Sequence, residues 1–249
     1  MILLTIFTAY AIALSIALAF AGHRSRKTST SPTQSGPSPK RILIVGATGG
    51  TGRELVAQAL ERGYQVTALV RDPSKLGIED RNLTLARGDV LDYASVEAAV
   101  RGQDAVVSAL GHHRFLRPTR IQSMGTQNIL NAMKTAGVSR FVCQTSLGIG
   151  NSAFRMGIPG TFFLLPVVLQ FYFWDKARQE KIIAASDRDW IIVRPSALTN
   201  GRKRGSYKHG FDVGSYIWTP GISRADVADF MLNQLEQDTN LGCAAGVCG

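Results

Sequence analysis

From Arg41 onward, short apolar runs alternate with stretches in which apolar residues recur every three or four positions. "RILIVGA", "QVTALVR", "LTLARGDVLD", "DAVVSALG", "RFVCQTS" and "DWIIVRP" have strand length and little polar alternation. Between them, "RELVAQALERGY", "ASVEAAVRG", "IQSMGTQNILNAMKTAGV" and "WDKARQEKIIAAS" carry the helical period, and "SRADVADFMLNQLEQD" reads as a closing helix. Gly63 marks the end of the first of these helices, and Ser223 with Asp226 reads as the N-terminal cap of the last, a variant of the capping box. Strands that are apolar throughout and separated by helices predict a parallel sheet covered on both faces. The fold class is therefore α/β, a doubly wound sheet in a single domain over residues 41–249. Ligands of such sheets bind at the carboxyl ends of the strands, and the glycines and polar residues of this chain gather there. No internal repeat is visible.

The front of the chain follows another pattern. Residues 2–21, "ILLTIFTAYAIALSIALAFA", hold no charge and have the length of a bilayer core, so a hydrophobic helix precedes the domain. "HRSRK" comes next, then the Ser/Thr/Pro-rich "TSTSPTQSGPSPK"; residues 23–40 read as a flexible linker. With the nearby positive charge all after the apolar run, residues 1–22 are expected to anchor the body to a membrane, facing the cytoplasm. Two alternatives stay open. "ALAFAG" before a basic, acid-free stretch fits the two-part plastid leaders of some algae, and "AFA" at 19–21 fits a secretory cleavage site, although the start of the run lacks positive charge.

Charge changes this picture little. The chain of 249 residues carries a formal +10, but residues 1–41 hold five Lys/Arg and no acid, so the body is only mildly basic. The nearest approach to a polyanion site, "GRKRGSYKHG" at 201–210, reads as a solvated loop, and no nucleic-acid partner is expected. Three cysteines make no disulfide framework: Cys143 reads as a small core residue, and Cys243 and Cys248 as part of a small-residue tail. A monomer is the working expectation.

"GATGGTG" at 46–52 lies between a strand and a helix. Gly46 permits the tight turn, Gly49 lets backbone approach a pyrophosphate, and Gly52 lets the helix pack on the strand. Thr48, Gly50 and Thr51 complete a loop whose helix N-terminus offers free N–H groups to the anion. Arg71 follows the second strand, where NAD-specific proteins place a carboxylate. A guanidinium there suits a 2′-phosphate, which makes NADPH the expected cofactor; a solvated surface arginine beside Asp72 is the alternative. Asp89 and Val90, after the third strand, would face the adenine, and Ala109, Leu110 and Gly111, after the fourth, would line the cofactor.

"GATGGTG", "GYQVTALVRDPSKL", "GDVL", "GQDAVVSALG", "CQTS", "DKARQEKIIAASDRDWIIVRP" and "ISRADVADFMLNQL" together resemble the atypical short-chain dehydrogenases, of the NAD(P)H-binding, NmrA-like kind. The likeness is greatest to the biliverdin-IXβ/flavin reductase type and covers about residues 41–240. It implies a Rossmann-type domain with the substrate over the nicotinamide. It places Ser146 on the family's active-site serine, to hydrogen-bond the substrate or relay a proton. Thr145, its neighbour, should turn to the other face. Tyr172 and Lys176 form Y-x-x-x-K, the acid/base pair of the wider superfamily, on one helix face. The related proteins lack this tyrosine, so Asp175, Lys176 and Glu180 also read as a helix-face charge set with Lys176 near the cofactor. Arg194, Pro195 and Ser196 should close over the nicotinamide side; the reductases resembled carry a histidine where Ser196 stands, which points away from biliverdin itself.

His23, His112, His113 and His209 show no metal-ligand spacing, and no metal is expected. "IPGTFFLLPVVLQFYFW" at 158–174 is uncharged, but Pro159 and Pro166 make it a poor spanning helix. It reads as core and pocket wall, or as an interfacial segment admitting a lipophilic substrate. The expected function is NADPH-dependent reduction of an apolar or conjugated acceptor, such as a flavin, tetrapyrrole or quinone. The alternative is a non-catalytic NAD(P)(H)-binding redox sensor or assembly factor for a membrane complex.

Overall fold

The computed structural model describes residues 2–22, 39–112 and 115–249; most of the expected linker, with His23, and also His113, lie outside the described residues. An eight-stranded sheet carries the fold, in the order β3 (Leu83–Arg87), β2 (Gln65–Val70), β1 (Arg41–Val45), β4 (Ala105–Ser108), β5 (Arg140–Gln144), β6 (Asp189–Pro195), β10 (Cys243–Cys248) and β8 (Lys208–Gly210). Every pair is parallel except β8 with β10. A separate parallel pair joins β7 (Ala197–Thr199) to β9 (Gly221–Ser223). The six strands expected from the apolar runs are all present, and the order reverses between β1 and β4, the point at which doubly wound sheets open a crevice.

Both faces are covered, as wholly apolar strands require. Alternate residues of β1, Ile42 and Ile44 on one side and Leu43 and Val45 on the other, feed two separate cores. The first is closed by α2 (Gly50–Glu61) and α7 (Arg224–Asn233), the second by α3 (Tyr93–Val100), α4 (Ile121–Ala136) and α6 (Gln170–Ala184). Full burial of each such aliphatic side chain contributes about 1.5–3 kcal/mol.

Three expectations are corrected. "CAAGVC" is not a tail but the buried strand β10 beside β6; its small side chains fit a crowded sheet position and gave no strand-like pattern. Cys243 and Cys248 stand at opposite ends of that strand and, with Cys143, are free and buried. It follows that α7 does not close the fold. Finally, 201–210 is tied down rather than solvated throughout: it supplies β8, and Asp226 accepts from the N–H groups of Arg204 and Gly205 at 2.8 and 2.9 Å. Asp229 takes Tyr207 Oη at 2.8 Å and pairs with Lys203 and Arg62. The expected cap holds: Ser223 Oγ accepts from Asp226 N at 2.9 Å.

The apolar N-terminal run is helix α1 (Ile2–Ala21), and it lies against the body. Leu14 and Leu18 bury against Ile149, Leu165, Phe173 and Ala177. The uncharged segment after Gly157 is helical. A single turn, α5 (Gly157–Pro159), leads into a π-helical stretch, Gly160–Leu169, and on into α6. The wider turn accommodates Pro166, which lacks the N–H a regular helix would use.

Candidate functional site

The carboxyl ends of β1, β4, β5 and β6 lie side by side, and the residues singled out from the sequence come together there in two groups. In the first, Gly46 leaves β1 at φ +83, a left-handed conformation that favours glycine, and its carbonyl accepts from Gly49 N at 3.0 Å. A side chain on Gly46 would stand 2.7 Å from Ala109 O, so the first and fourth loops touch. A Cβ on Gly52 would fall 2.0 Å from Gly46 O; the helix can meet the strand here only without one. A Cβ on Gly49 would meet only Gly46 O, at 3.3 Å, with the other side open.

Helix α2 starts at Gly49 with no side-chain cap and no acid in its first turn. Uncapped N–H groups beside open space fit an anion such as a pyrophosphate. Thr48 and Gly50 border this opening, while Thr51 is buried beneath it. One cation was missed by sequence reasoning. The Arg224 side chain reaches from α7 to Gly50, where an added Cβ would stand 2.5 Å from its Cδ, and it donates to Asn200. An arginine in a helix's first turn, far away in sequence, carries no local signal of this contact.

Arg71 is the first residue beyond β2, exposed, and among the described residues it makes no hydrogen bond or ion pair. Lys75 pairs with Asp72, and Arg53 donates to Lys75 O at 2.6 Å, tying α2 to the loop after β2. The Asp89 carboxylate accepts from Leu91 N at 3.0 Å, and Val90 packs against Gly125 of α4. Asp89 is not a helix cap; Asp92 performs that task for α3.

The second group surrounds Lys176. Its side chain is buried, and Nζ donates to Leu110 O at 3.1 Å and Gln144 O at 2.9 Å, bridging the ends of β4 and β5. Two of three N–H donors are thereby used, and among the described residues no carboxylate pairs with it. Tyr172 lies one turn earlier, its ring 5.7 Å from Nζ and its hydroxyl 3.4 Å from where a Cβ on Gly111 would stand. His112 and Phe115 pack edge-on against Tyr172, at 5.1 and 5.5 Å between centroids. Ser146 is half-buried just past β5, with Oγ donating to Leu147 O at 3.1 Å. Leu147 N donates to Pro195 O at 3.0 Å, and Ser196 N to Val247 O at 2.9 Å, so β6 and β10 hold this corner.

The helix-face charge set is corrected. Asp175, Lys176 and Glu180 are all buried, and each serves a different neighbour. Asp175 accepts from Gln122 N at 2.9 Å and Ser123 N at 3.2 Å, capping α4 from another helix. Glu180 takes a two-pronged contact from Arg194, at 2.9 and 2.6 Å, together with the Thr145 hydroxyl at 2.7 Å. Thr145 thus turns away from the face expected for Ser146. Burial pushes the Cys143 thiol up to about 11, which leaves it unreactive. Among the described residues no group of three His, Cys, Asp or Glu is placed to hold a metal; His112 meets Thr119 at 2.8 Å, and His209 packs on Tyr207 and Phe230.

A parallel sheet with its order reversed at β1/β4, a glycine turn leading into an uncapped helix, and polar groups at the neighbouring strand ends define a Rossmann-type dinucleotide-binding domain. Residues 46–238 match the NAD(P)H-binding family, and the chain belongs to it. It is 31% identical over 208 residues to At2g34460, a chloroplastic protein of Arabidopsis thaliana, covering 80% of this chain and 73% of that one. It is 25% identical over 209 residues to the photosystem II assembly factor Ycf39 of a Synechocystis species, covering 80% of this chain but only 59% of that protein. Among solved structures, ChuY, an anaerobillin reductase from Escherichia coli O157:H7, superposes with a TM-score of 0.67 at 22% identity, covering 84% of this chain and 96% of that one. At that identity the likeness shows the fold alone.

Proposed function

We propose that the protein is a membrane-associated, NADPH-dependent reductase of a flat, apolar or conjugated acceptor of the flavin, tetrapyrrole or quinone kind. One observation carries this reading: a buried ammonium, Lys176, meets the carbonyls of Leu110 and Gln144 and the Tyr172 ring where β4 and β5 end, with the half-buried Ser146 two residues beyond Gln144. A cation buried without an anion is costly, and a ligand's hydroxyl groups would use its remaining donor. Gly46, Thr48, Gly49, Gly50, Thr51 and Gly52 would hold the pyrophosphate, with Arg224 across from Gly50. Asp89 and Val90 would take the adenine side; Ala109, Leu110, Gly111 and Pro195 would line the cofactor. When bound, the nicotinamide supplies the hydride. Ser146 orients the acceptor or passes it a proton, and the rings of His112, Phe115 and Tyr172, packed edge to face, offer an aromatic wall that keeps water out.

Ser146→Ala is expected to lower kcat for NADPH oxidation by roughly 100-fold, with the NADPH Kd unchanged. The assay offers flavins, quinones and biliverdin in turn to the full chain, and wild-type turnover by the variant would remove Ser146 from the mechanism. Arg71 is proposed to select NADPH through its 2′-phosphate. Arg71→Ala should weaken NADPH roughly tenfold or more while leaving NADH binding unchanged, as titration of both nucleotides would read.

A second reading is favoured by the likeness to the assembly factor Ycf39: an NAD(P)(H)-binding protein that supports a membrane complex without turnover. Tight NADPH binding with no oxidation of NADPH by any acceptor would select it. The chloroplastic relative supports a plastid location in either case. Burial of Leu14 and Leu18 against the body supports retention of α1 as an anchor over its removal with a leader.

A further inference from the structure

Seven of the large apolar side chains exposed outside α1 fall in two joined segments, while Leu116 and Met124 stand apart from them. Ile158, Phe163, Leu164 and Val167 lie on the helical stretch after Gly157, and Tyr216, Ile217 and Trp218 form a separate tip, 61%, 59% and 75% exposed. The tip is fastened to that stretch by backbone. Gly157 N donates to Ser215 O at 2.7 Å, Ile158 N to Ile217 O at 3.0 Å, and the Thr219 hydroxyl to Met156 O at 2.8 Å. The Ser215 hydroxyl accepts from both Ile217 N and Trp218 N, at 3.1 Å each, which fixes the turn. A Cβ on Gly157, at φ +76, would stand 2.3 Å from the Trp218 carbonyl carbon, so the two segments meet without a gap. On the other flank, the Phe7 ring of α1 packs at a tilt against Phe163, and Tyr10 donates to Gln170.

Charge is absent from all three segments, 2–22, 156–174 and 213–223. The second and third begin at one ion pair: Arg155 and Asp212, 3.2 Å apart, immediately precede them, and the Arg155 guanidinium lies 5.2 Å over the Tyr216 ring. An uncharged face bordered by an arginine, a tyrosine and a tryptophan has the composition of a membrane–water boundary. Helix α1 extends it. Packed along the body from Phe7 to Leu18, this helix presents Leu3, Ile6, Ile12, Ile16 and Phe20 to the outside and so adds twenty uncharged residues to this face.

We propose that Tyr216, Ile217 and Trp218 form a bilayer-inserting tip that seats the catalytic body, and not α1 alone, in the membrane interface. The tip is linked to the site through Met156. Met156, whose carbonyl holds Thr219, packs its side chain over Gly148, two residues beyond Ser146. With the tip inserted, the acceptor would approach Ser146 from the lipid side. This last step rests on the reductase reading; the insertion itself does not.

The test uses the full chain in vesicles of phosphatidylcholine and phosphatidylglycerol, with tryptophan emission as the readout. The difference between wild type and Trp218→Phe isolates Trp218 from Trp174 and Trp190. Insertion predicts a blue shift of that difference spectrum on vesicle addition. It also predicts quenching by lipids brominated high on the acyl chain, more than by lipids brominated near the terminal methyl, and protection from aqueous iodide. A vesicle-bound chain whose Trp218 stays open to iodide and untouched by bromolipid would overturn the proposal and leave the tip to a protein partner. Failure to bind vesicles at all would overturn it too. As a second variant, Ile217→Lys should lose the quenching while keeping NADPH binding, measured on the same sample, which distinguishes loss of the seat from loss of the fold. NADPH oxidation measured alongside distinguishes failure of the reductase reading, since insertion without turnover leaves the tip standing.

Discussion

Gly52→Ala is expected to reduce NADPH affinity by about 100-fold or more and to destabilise the domain as well, the overpacking alone costing about 1–3 kcal/mol. The added methyl would stand 2.0 Å from Gly46 O, 2.7 Å from Gly46 C and 2.8 Å from Ala47 Cα. All three are backbone atoms of the strand end, so nothing can swing aside, and α2 must retreat from β1. Its uncapped N–H groups would then no longer meet the pyrophosphate. Gly49→Ala is the informative partner, because its Cβ meets only Gly46 O at 3.3 Å. This variant should unfold with nearly the wild-type midpoint in urea and still lose the nucleotide, since its methyl fills the space the ligand needs. Equal loss of stability in both would show that the loop is a packing device alone.

The second large effect belongs to the pair beneath the site. Arg194 and Glu180 are 1% and 0% exposed, and the carboxylate also holds Thr145, while Arg194 Nη1 donates to Asn151 Oδ1 at 2.6 Å. Glu180→Ala would leave a buried guanidinium uncompensated. We expect a loss of about 3–5 kcal/mol, a fall in Tm of roughly 10 °C in a domain of this size. Replacing both, as Glu180→Leu with Arg194→Met, should recover most of that, because desolvation of two charges offsets much of their attraction. Thermal and urea unfolding of the two single variants and the double variant read the coupling directly. Additive losses, with no recovery in the double variant, would contradict it.

What the sequence made legible were features whose physics is local. An apolar run of strand length, a glycine at a turn and a serine before a helix act within a few residues, and β1 to β6 and the cap at Ser223 were read from them. β10 was missed because "CAAGVC" is built of small residues whose fit depends on β6 and β8, not on its own pattern. The destinations of Asp175, Lys176 and Glu180 were also invisible. Their spacing suggests one helix face, yet one caps α4, one bridges two strand ends and one neutralises Arg194. Each partner is brought in by the sheet, from far along the chain. Arg224 beside Gly50 is hidden for the same reason. The exposed tip at 216–218 is short, and only its hydrogen bonds to 157–158 reveal that it extends a larger apolar surface.

A nicotinamide nucleotide bound at the bare N-terminus of α2 would tie the stability of the fold to the nucleotide supply. Without a side-chain cap, that first turn leaves several backbone donors to water until an anion arrives. A nucleotide at a hundred times its Kd adds about 2.7 kcal/mol to the folded state, more than a good serine cap contributes. The pool that feeds such a protein would therefore also govern how long it lasts. When nucleotide runs low that contribution would be lost, and proteolytic turnover of the chain would follow the metabolic state of its compartment.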